Sequence, residues 1–336
     1  MSSYPKPLAL SLGCPSGIGP EVAVRAALAS KHPCVLVGSA GVVERALAVV
    51  APGSVRAVRT LTSISTWSEP ASELQVFEGH GEISVRNAPF GAPTPEAGRA
   101  QLAWVDTALA LVREGHASAL VTGPVSKEAV VRGGLASFRG HTEYLQHALG
   151  AAEVVMAFWS PQLVTALVTT HMPLSRVAES ITAEGVSKAA FWLAELVSRL
   201  GDSRPVAVAA LNPHAGEGGL LGHEESTIAA GMVRAAARLG RNPFVGPVPA
   251  ETAFRKAQAG DYAGVVAMYH DQATIPMKLT GFGDAVNVSL GLPIVRTSVD
   301  HGTGYDIAGH GIADARGMLA AMDLAVRLVD AAGAGE

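Results

Sequence analysis

Three histidines stand out by what precedes them. His171, His214 and His270 each follow an apolar, β-rich run: LVTALVT at 163–169, VAVAAL at 206–211 and VVAMY at 265–269. In open α/β sheets, ligands gather beyond the carboxyl ends of the strands, so three such residues would share one edge. Imidazole suits divalent transition ions such as zinc or cobalt. Three protein ligands with open positions are the pattern of a catalytic metal site, not a structural one. Taken singly, each histidine reads as well as a turn residue or a satisfied polar group. Their wide spacing is not the compact H-E-x-x-H arrangement. A convergent ligand set and three separate turn residues therefore both stand. His32, His80, His116, His147, His223 and His310 lack this placement and read as surface or structural residues.

Glycine-rich loops carry the next chemistry. GCPSGIGP at 13–20 follows an apolar run and precedes a helical one. It could cradle an anion at a helix N-terminus, or be a tight turn with Pro20 near the first helical position. It is neither G-x-G-x-x-G nor a P-loop. HGTGYDIAG at 301–309 is a second such loop, whose backbone could approach a dinucleotide closely; an ordinary surface loop is the other reading. Around a third cluster, Gly281-Phe282-Gly283, lie Lys278, Asn287 and Arg296. Lys and Arg bind phosphomonoesters or carboxylates, Arg in bidentate fashion. Ile275–Met277 precede Lys278, and Ile294 and Val295 precede Arg296. Charges set in apolar context need a partner, so these read as binding residues.

The elements that must position these residues follow from periodicity. The run 7–12 reads as a strand, 21–29 as a helix, 35–38 as a strand and 41–50 as an amphipathic helix. This β-loop-α-β-α opening is typical of a parallel sheet covered by helices. Residues 51–95 are less regular; 95–114 reads as a long helix and 117–122 as a buried strand. The three histidine-bearing strands are separated by helices over 183–200, 226–239 and 252–258, and a helix over 318–329 closes the chain.

Composition bounds the class. With 336 residues, 49% hydrophobic and 16% charged, the chain has material for two globular domains or one large α/β domain. A net charge of -4 without a basic stripe, and 5% aromatics, speak against nucleic-acid binding. Two cysteines, Cys14 and Cys34, do not make a disulfide framework. No signal-peptide pattern and no long apolar window appear, so a cytoplasmic location away from the membrane is expected.

Several strings then carry a resemblance. GCPSGIGPE (13–21), VTGPVSKEA (121–129), GHTEYL (140–145), TTHMPL (169–174), LNPHAGEGG (211–219), MYHDQ (268–272) and KLTGFGDAVNVSLGLPIVRTSVDHGT (278–303) resemble the 4-hydroxythreonine-4-phosphate dehydrogenase family, from near residue 8 to near residue 325. The resemblance implies two α/β/α domains of the isocitrate/isopropylmalate dehydrogenase type with an interdomain cleft, not a Rossmann fold. It places residues 1–125 and 290–336 in the first domain. Residues 126–289 form the second, with most metal ligands and the interface of a homodimer with shared active sites. It implies one divalent ion (Zn, Mg or Co) on His171, His214 and His270, drawn from both subunits. Substrate would contact His141, Thr142, Lys278, Asn287 and Arg296, and NAD or NADP would contact His301, Gly302, Thr303 and Asp306. The implied reaction is oxidation of 4-phosphohydroxy-L-threonine to 2-amino-3-oxo-4-phosphooxybutanoate. That product decarboxylates to 3-amino-2-oxopropyl phosphate, in pyridoxine 5'-phosphate biosynthesis.

Asp271, beside a proposed ligand, and Lys278 are the two candidates for the general base. One departure bears on substrate choice: the family usually has Asp where this chain has Cys14. Three other readings therefore accompany the first. They are a paralogue acting on 4-phosphoerythronate or D-threonate 4-phosphate, one acting on a dihydrodiol carboxylate, and a non-catalytic protein that binds a phosphorylated metabolite.

Overall fold

The computed structural model describes residues 6–69, 72–281 and 283–333; Phe282 of the glycine cluster lies outside them. Two compact units are present, one taking the described residues up to Leu149 together with Pro293–Gly333, the other Gly150–Leu292.

The first unit begins with β1 (Leu8–Ser11), α1 (Gly19–Ala29), β2 (Cys34–Val37), α2 (Ala40–Val50), β3 (Val58–Leu61) and β4 (Leu74–Phe77). It continues through α3 (Pro95–Arg113), β5 (Ala119–Thr122), α4 (Lys127–Arg132) and α5 (His141–Leu149). The second unit holds β6 (Val155–Trp159), β7 (Val164–Leu167), α6 (Val177–Ser180), α7 (Ala183–Arg199), β8 (Val206–Ala209) and α8 (Glu224–Leu239). There follow β9 (Phe244–Val248), α9 (Ala250–Gln258), β10 (Gly264–Ala267), α10 (His270–Thr280) and β11 (Val286–Leu290). The chain then returns to the first unit with β12 (Arg296–Val299) and α11 (Arg316–Gly333).

In the first unit the strand order is β3-β4-β2-β1-β5-β12, all parallel. Leu8, Leu10, Leu36 and Leu120 are fully buried, as strands covered on both faces require. The loops after β1, β5 and β12 leave the same edge of the sheet. The longest helix is fixed by its ends: Thr94 caps α3 by accepting from the Ala97 amide at 3.0 Å, Pro95 takes the first position, and Arg113 sits in the last turn. Its Trp104 is fully buried and donates to the Gly81 carbonyl at 2.9 Å.

In the second unit the order is β11-β6-β7-β10-β8-β9. β11 and β7 run antiparallel to β6, whereas β7, β10, β8 and β9 are mutually parallel. Neither unit has the 3-2-1-4-5-6 order of a dinucleotide-binding Rossmann sheet, and the α/β, non-Rossmann class expected from the sequence is what forms. Met156, Phe158, Leu167, Phe254, Val265 and Met277 anchor the core beneath this sheet. Each large apolar side chain buried this way contributes about 1.5–3 kcal/mol.

The first unit extends through Leu149, whereas the sequence placed its boundary at 125. The reason is helix α3. Its Gln101 accepts from the Ser126 amide at 2.8 Å, and its Asp106 accepts from the Tyr144 hydroxyl at 2.6 Å. These bonds keep α4 and α5 on the first unit, and with them His141 and Thr142. The return occurs at 293, near the expected 290. Among the described residues no helix is long and apolar enough to cross a membrane.

Candidate active site

The three histidine-bearing strands are immediate neighbours. β7, β10 and β8 pair in that order, in parallel, so His171, His270 and His214 all follow carboxyl ends on one edge of the second unit. Side chains stitch that edge laterally. Thr169 Oγ1 donates to the Met268 carbonyl at 2.7 Å, joining the β7 end to the β10 end. Gln272 accepts from the Met268 amide at 2.6 Å and donates to the Ala210 carbonyl at 2.9 Å, joining the β10 end to the β8 end.

The His171 and His270 rings lie 5.4 Å apart between centroids. His270 opens α10, and its Nδ1 pairs with Asp271 Oδ1 at 2.7 Å. A carboxylate on one ring nitrogen fixes the tautomer and leaves Nε2 to act as ligand or acceptor. His214 is presented differently. Residues 214–218 all have φ between 46° and 78°, so a left-handed turn of five residues carries it. His214, Ala215 and Glu217 are not glycines, and left-handed helical backbone costs them about 1–2 kcal/mol each. Among the described residues, no group of three or more His, Cys, Asp or Glu side chains could hold a metal within one chain.

Lys278 and Asn287 also belong to the second unit. Asn287 lies on β11 opposite Phe158. Lys278 is exposed on α10. Helical geometry separates the faces: Ala273, Thr274 and Met277 turn inward, while Ile275, Lys278 and Leu279 turn outward. A charge between apolar residues is buried in a strand more readily than on a helix.

Arg296 is buried. At the start of β12 it is 2% exposed, and its guanidinium donates to Thr122 Oγ1 at 2.7 Å. Burial pushes its pKa down to about 9, against the pull of Glu143. His141 shares its surroundings. Burial first, then the charges of Arg296 and Lys127, hold the imidazole well below its ordinary 6.5. The ring is therefore neutral, and its Nε2 is buried without a hydrogen-bond partner. Thr142 beside it is buried. A neutral imidazole with an unsatisfied nitrogen at the start of α5, beside the buried Arg296 cation, can accept an anionic or oxygen-rich group. Lys127 belongs to this cluster and escaped the sequence reading as a site residue, although the VTGPVSKEA string contains it.

The remaining loops of the first unit converge as well. The Ile18 amide donates to the Thr303 carbonyl at 2.9 Å, and a side chain at Gly17 would collide with that carbonyl at 2.4 Å. Glycine is thus required where the first loop meets the HGTG loop. Cys14 Sγ lies 3.3 Å from the Tyr305 hydroxyl, and burial pushes its thiol up, so no negative charge stands there. Glu21, fully buried in α1, accepts from the amides of Gly309 at 2.6 Å and Gly311 at 3.2 Å. His301 Nδ1 lies 2.9 Å from the Gly302 carbonyl, and His301, Gly302 and Asp306 are exposed.

An α/β protein with imidazoles along one strand edge and a buried arginine–histidine receptor is built to bind and transform a small anionic molecule. The chain belongs to the family described as pyridoxal phosphate biosynthetic protein PdxA, whose model matches residues 29–325. A Desulfosudis oleivorans protein named 4-hydroxythreonine-4-phosphate dehydrogenase is 41% identical over 329 residues, covering 96% of each chain. A Bradyrhizobium diazoefficiens protein provisionally named a D-threonate 4-phosphate dehydrogenase is 36% identical, covering 97% of this chain and 98% of that one. The crystal structure of a Klebsiella pneumoniae 4-hydroxythreonine-4-phosphate dehydrogenase superimposes with a TM-score of 0.83 at 35% identity, covering 96% of this chain and 99% of that one.

Proposed function

We propose that this chain is a cytoplasmic, metal-dependent, NAD- or NADP-linked dehydrogenase that oxidises 4-phosphohydroxy-L-threonine in pyridoxine 5'-phosphate biosynthesis. The observation that carries the reading is the buried Arg296 beside neutral His141, whose Nε2 has no partner. Arg296, with Lys127 nearby, neutralises an anionic end of the substrate. His141 and Thr142 offer neutral polar groups to its oxygens, and Lys278 and Asn287 contribute further donors. Remote binding energy of this kind fixes the position of the reacting carbon.

His171, His214 and His270 would hold the divalent cation. Two observations support the fit: the close pair of His171 and His270 rings, and the engagement of His270 Nδ1 by Asp271. An imidazole donor set favours zinc or cobalt over magnesium. When bound, the cation supplies Lewis acidity at the substrate hydroxyl, and the nicotinamide takes up hydride. His301, Gly302, Thr303 and Asp306 are the residues offered to the dinucleotide. Of the two candidate bases, Asp271 pairs through Oδ1 with His270, and Lys278 is exposed on α10.

A homodimer with shared sites accounts for the apolar surface. Met172 and Leu174 follow His171, Leu220 and Leu221 follow His214, and Ile275 and Leu279 follow His270, and all six are exposed. Large exposed apolar side chains in the segments that follow each proposed ligand suit a face covered by a second copy.

Oxidation of D-threonate 4-phosphate is a second reading, favoured by one observation. That substrate carries a hydroxyl where 4-phosphohydroxythreonine carries an ammonium, and Cys14 offers a neutral thiol where a carboxylate is usual. The deciding experiment offers the purified protein both substrates with NAD or NADP and zinc, cobalt or magnesium. Nucleotide reduction with the amino acid substrate is expected. Reduction with D-threonate 4-phosphate alone would transfer the assignment, and tight substrate binding without any reduction would overturn both readings.

A further inference from the structure

We infer that Glu225 is a positioning residue that holds His214 in place for metal binding. The inference rests on the reading of His214 as a ligand.

His214 sits at the start of a five-residue left-handed turn. Non-glycine residues persist in that conformation only where the surroundings over-determine it. The surroundings here are supplied by the first turn of α8. The Glu225 carboxylate accepts from the Leu211 amide at 3.1 Å, the Asn212 amide at 2.8 Å and the Asn212 side-chain amide at 3.0 Å. Glu224 accepts from the same Asn212 side chain at 2.7 Å. These bonds fix the two residues before Pro213, and so fix where the left-handed turn begins. Gly216 is packed against the same carboxylate: a Cβ there would meet Glu225 Oε2 at 2.6 Å. One side chain thus secures both the entry to the turn and its middle, from a residue eleven places beyond His214 in sequence.

The other two histidines are not carried on left-handed backbone. All three strand ends are joined through Thr169, Met268 and Gln272, so that lacing does not by itself set the turn that carries His214. His214 alone is offered by strained backbone, so its placement depends on the carboxylate that holds the strain. Glu225 touches neither substrate nor ion in this scheme. Its effect is on affinity for the cation, by the same logic that makes hydrogen-bond partners of metal ligands matter.

The test is titration of metal-stripped full-length protein with Zn²⁺ and Co²⁺, comparing wild type, Glu225→Gln, Glu225→Asp and His214→Ala. Glu225→Gln and Glu225→Asp should each weaken metal binding about 10–100-fold. The KM for the dinucleotide should not move, and turnover should return at saturating metal. His214→Ala controls the underlying reading. If it binds metal as wild type does, the ligand assignment itself fails. If it loses metal while both other variants keep wild-type affinity, the role of Glu225 is overturned. Should Glu225→Gln fail to fold, Glu225→Asp decides alone, since it keeps the charge and withdraws the carboxylate from the Leu211 and Asn212 amides.

Discussion

The two candidate regions are prepared in opposite ways. The histidine edge of the second unit is partly exposed and is ordered by hydrogen bonds: Thr169 and Gln272 tie the strand ends, and Asp271 orients His270. The receptor of the first unit is buried and is ordered by electrostatics. There Arg296 is held as a cation inside the protein and His141 is kept neutral. A ligand site for a cation needs lone pairs aimed outward, which hydrogen bonds provide without adding charge. A site for an anion needs positive charge with little competing water, which burial provides.

Breaking the first region should have the larger effect. His270→Ala removes a proposed ligand and, with it, Lewis acidity worth several kcal/mol, so turnover should fall about a thousandfold. Metal content measured on the purified variant should fall in parallel; turnover and metal content both at wild-type level would remove His270 from the site. Arg296→Met should act on the second region alone. Loss of hydrogen bonds to a charged group costs about 1.5–3 kcal/mol, so kcat/KM for the phosphorylated substrate should drop about 10–100-fold. Metal affinity should stay constant, and the melting temperature should hold or rise, because replacing a buried cation by an apolar side chain relieves desolvation. A variant with unchanged kcat/KM would show that the buried cation serves the fold and not the substrate.

The smallest effect separates the regions by pH. The folded pKa of His141 lies below its unfolded value near 6.5, so the unfolded chain takes up a proton that the native state refuses. Stability is therefore complete above about pH 6.5 and falls on acidification by at most about 1.4 kcal/mol per pH unit from this group. His141→Gln should flatten the melting-temperature profile on the acid side of neutrality. An unaltered profile would mean that the pKa of His141 is the same in the folded and unfolded chain.

The histidine edge was legible because three apolar runs of strand length each end near a histidine, and parallel strands send such residues to one side. Most α/β elements were legible too, since their apolar periodicity matches the faces they bury. α10 was not, because Pro276 within it reads as a helix breaker. β11 and β12 were not either, because they lie among charges and glycines that read as loop. Lys278 is exposed despite its flanks for a related reason: apolar neighbours signal burial only once the side-chain period is known. His141 and Thr142 came from resemblance alone, whereas the glycine pattern of 301–309 had already marked the loop offered to the dinucleotide.

By itself the sequence determined the α/β class, the strand-end histidines and the family, since these depend on local periodicity and on strings of adjacent residues. Only tertiary structure decided that Arg296 is buried on Thr122, that Lys127 and His141 share its surroundings, and that Glu225 secures a left-handed turn. Those facts rest on contacts between residues far apart along the chain, or on backbone angles that residue type does not specify. Burial and charge act through space, and only folding sets the distances over which they act.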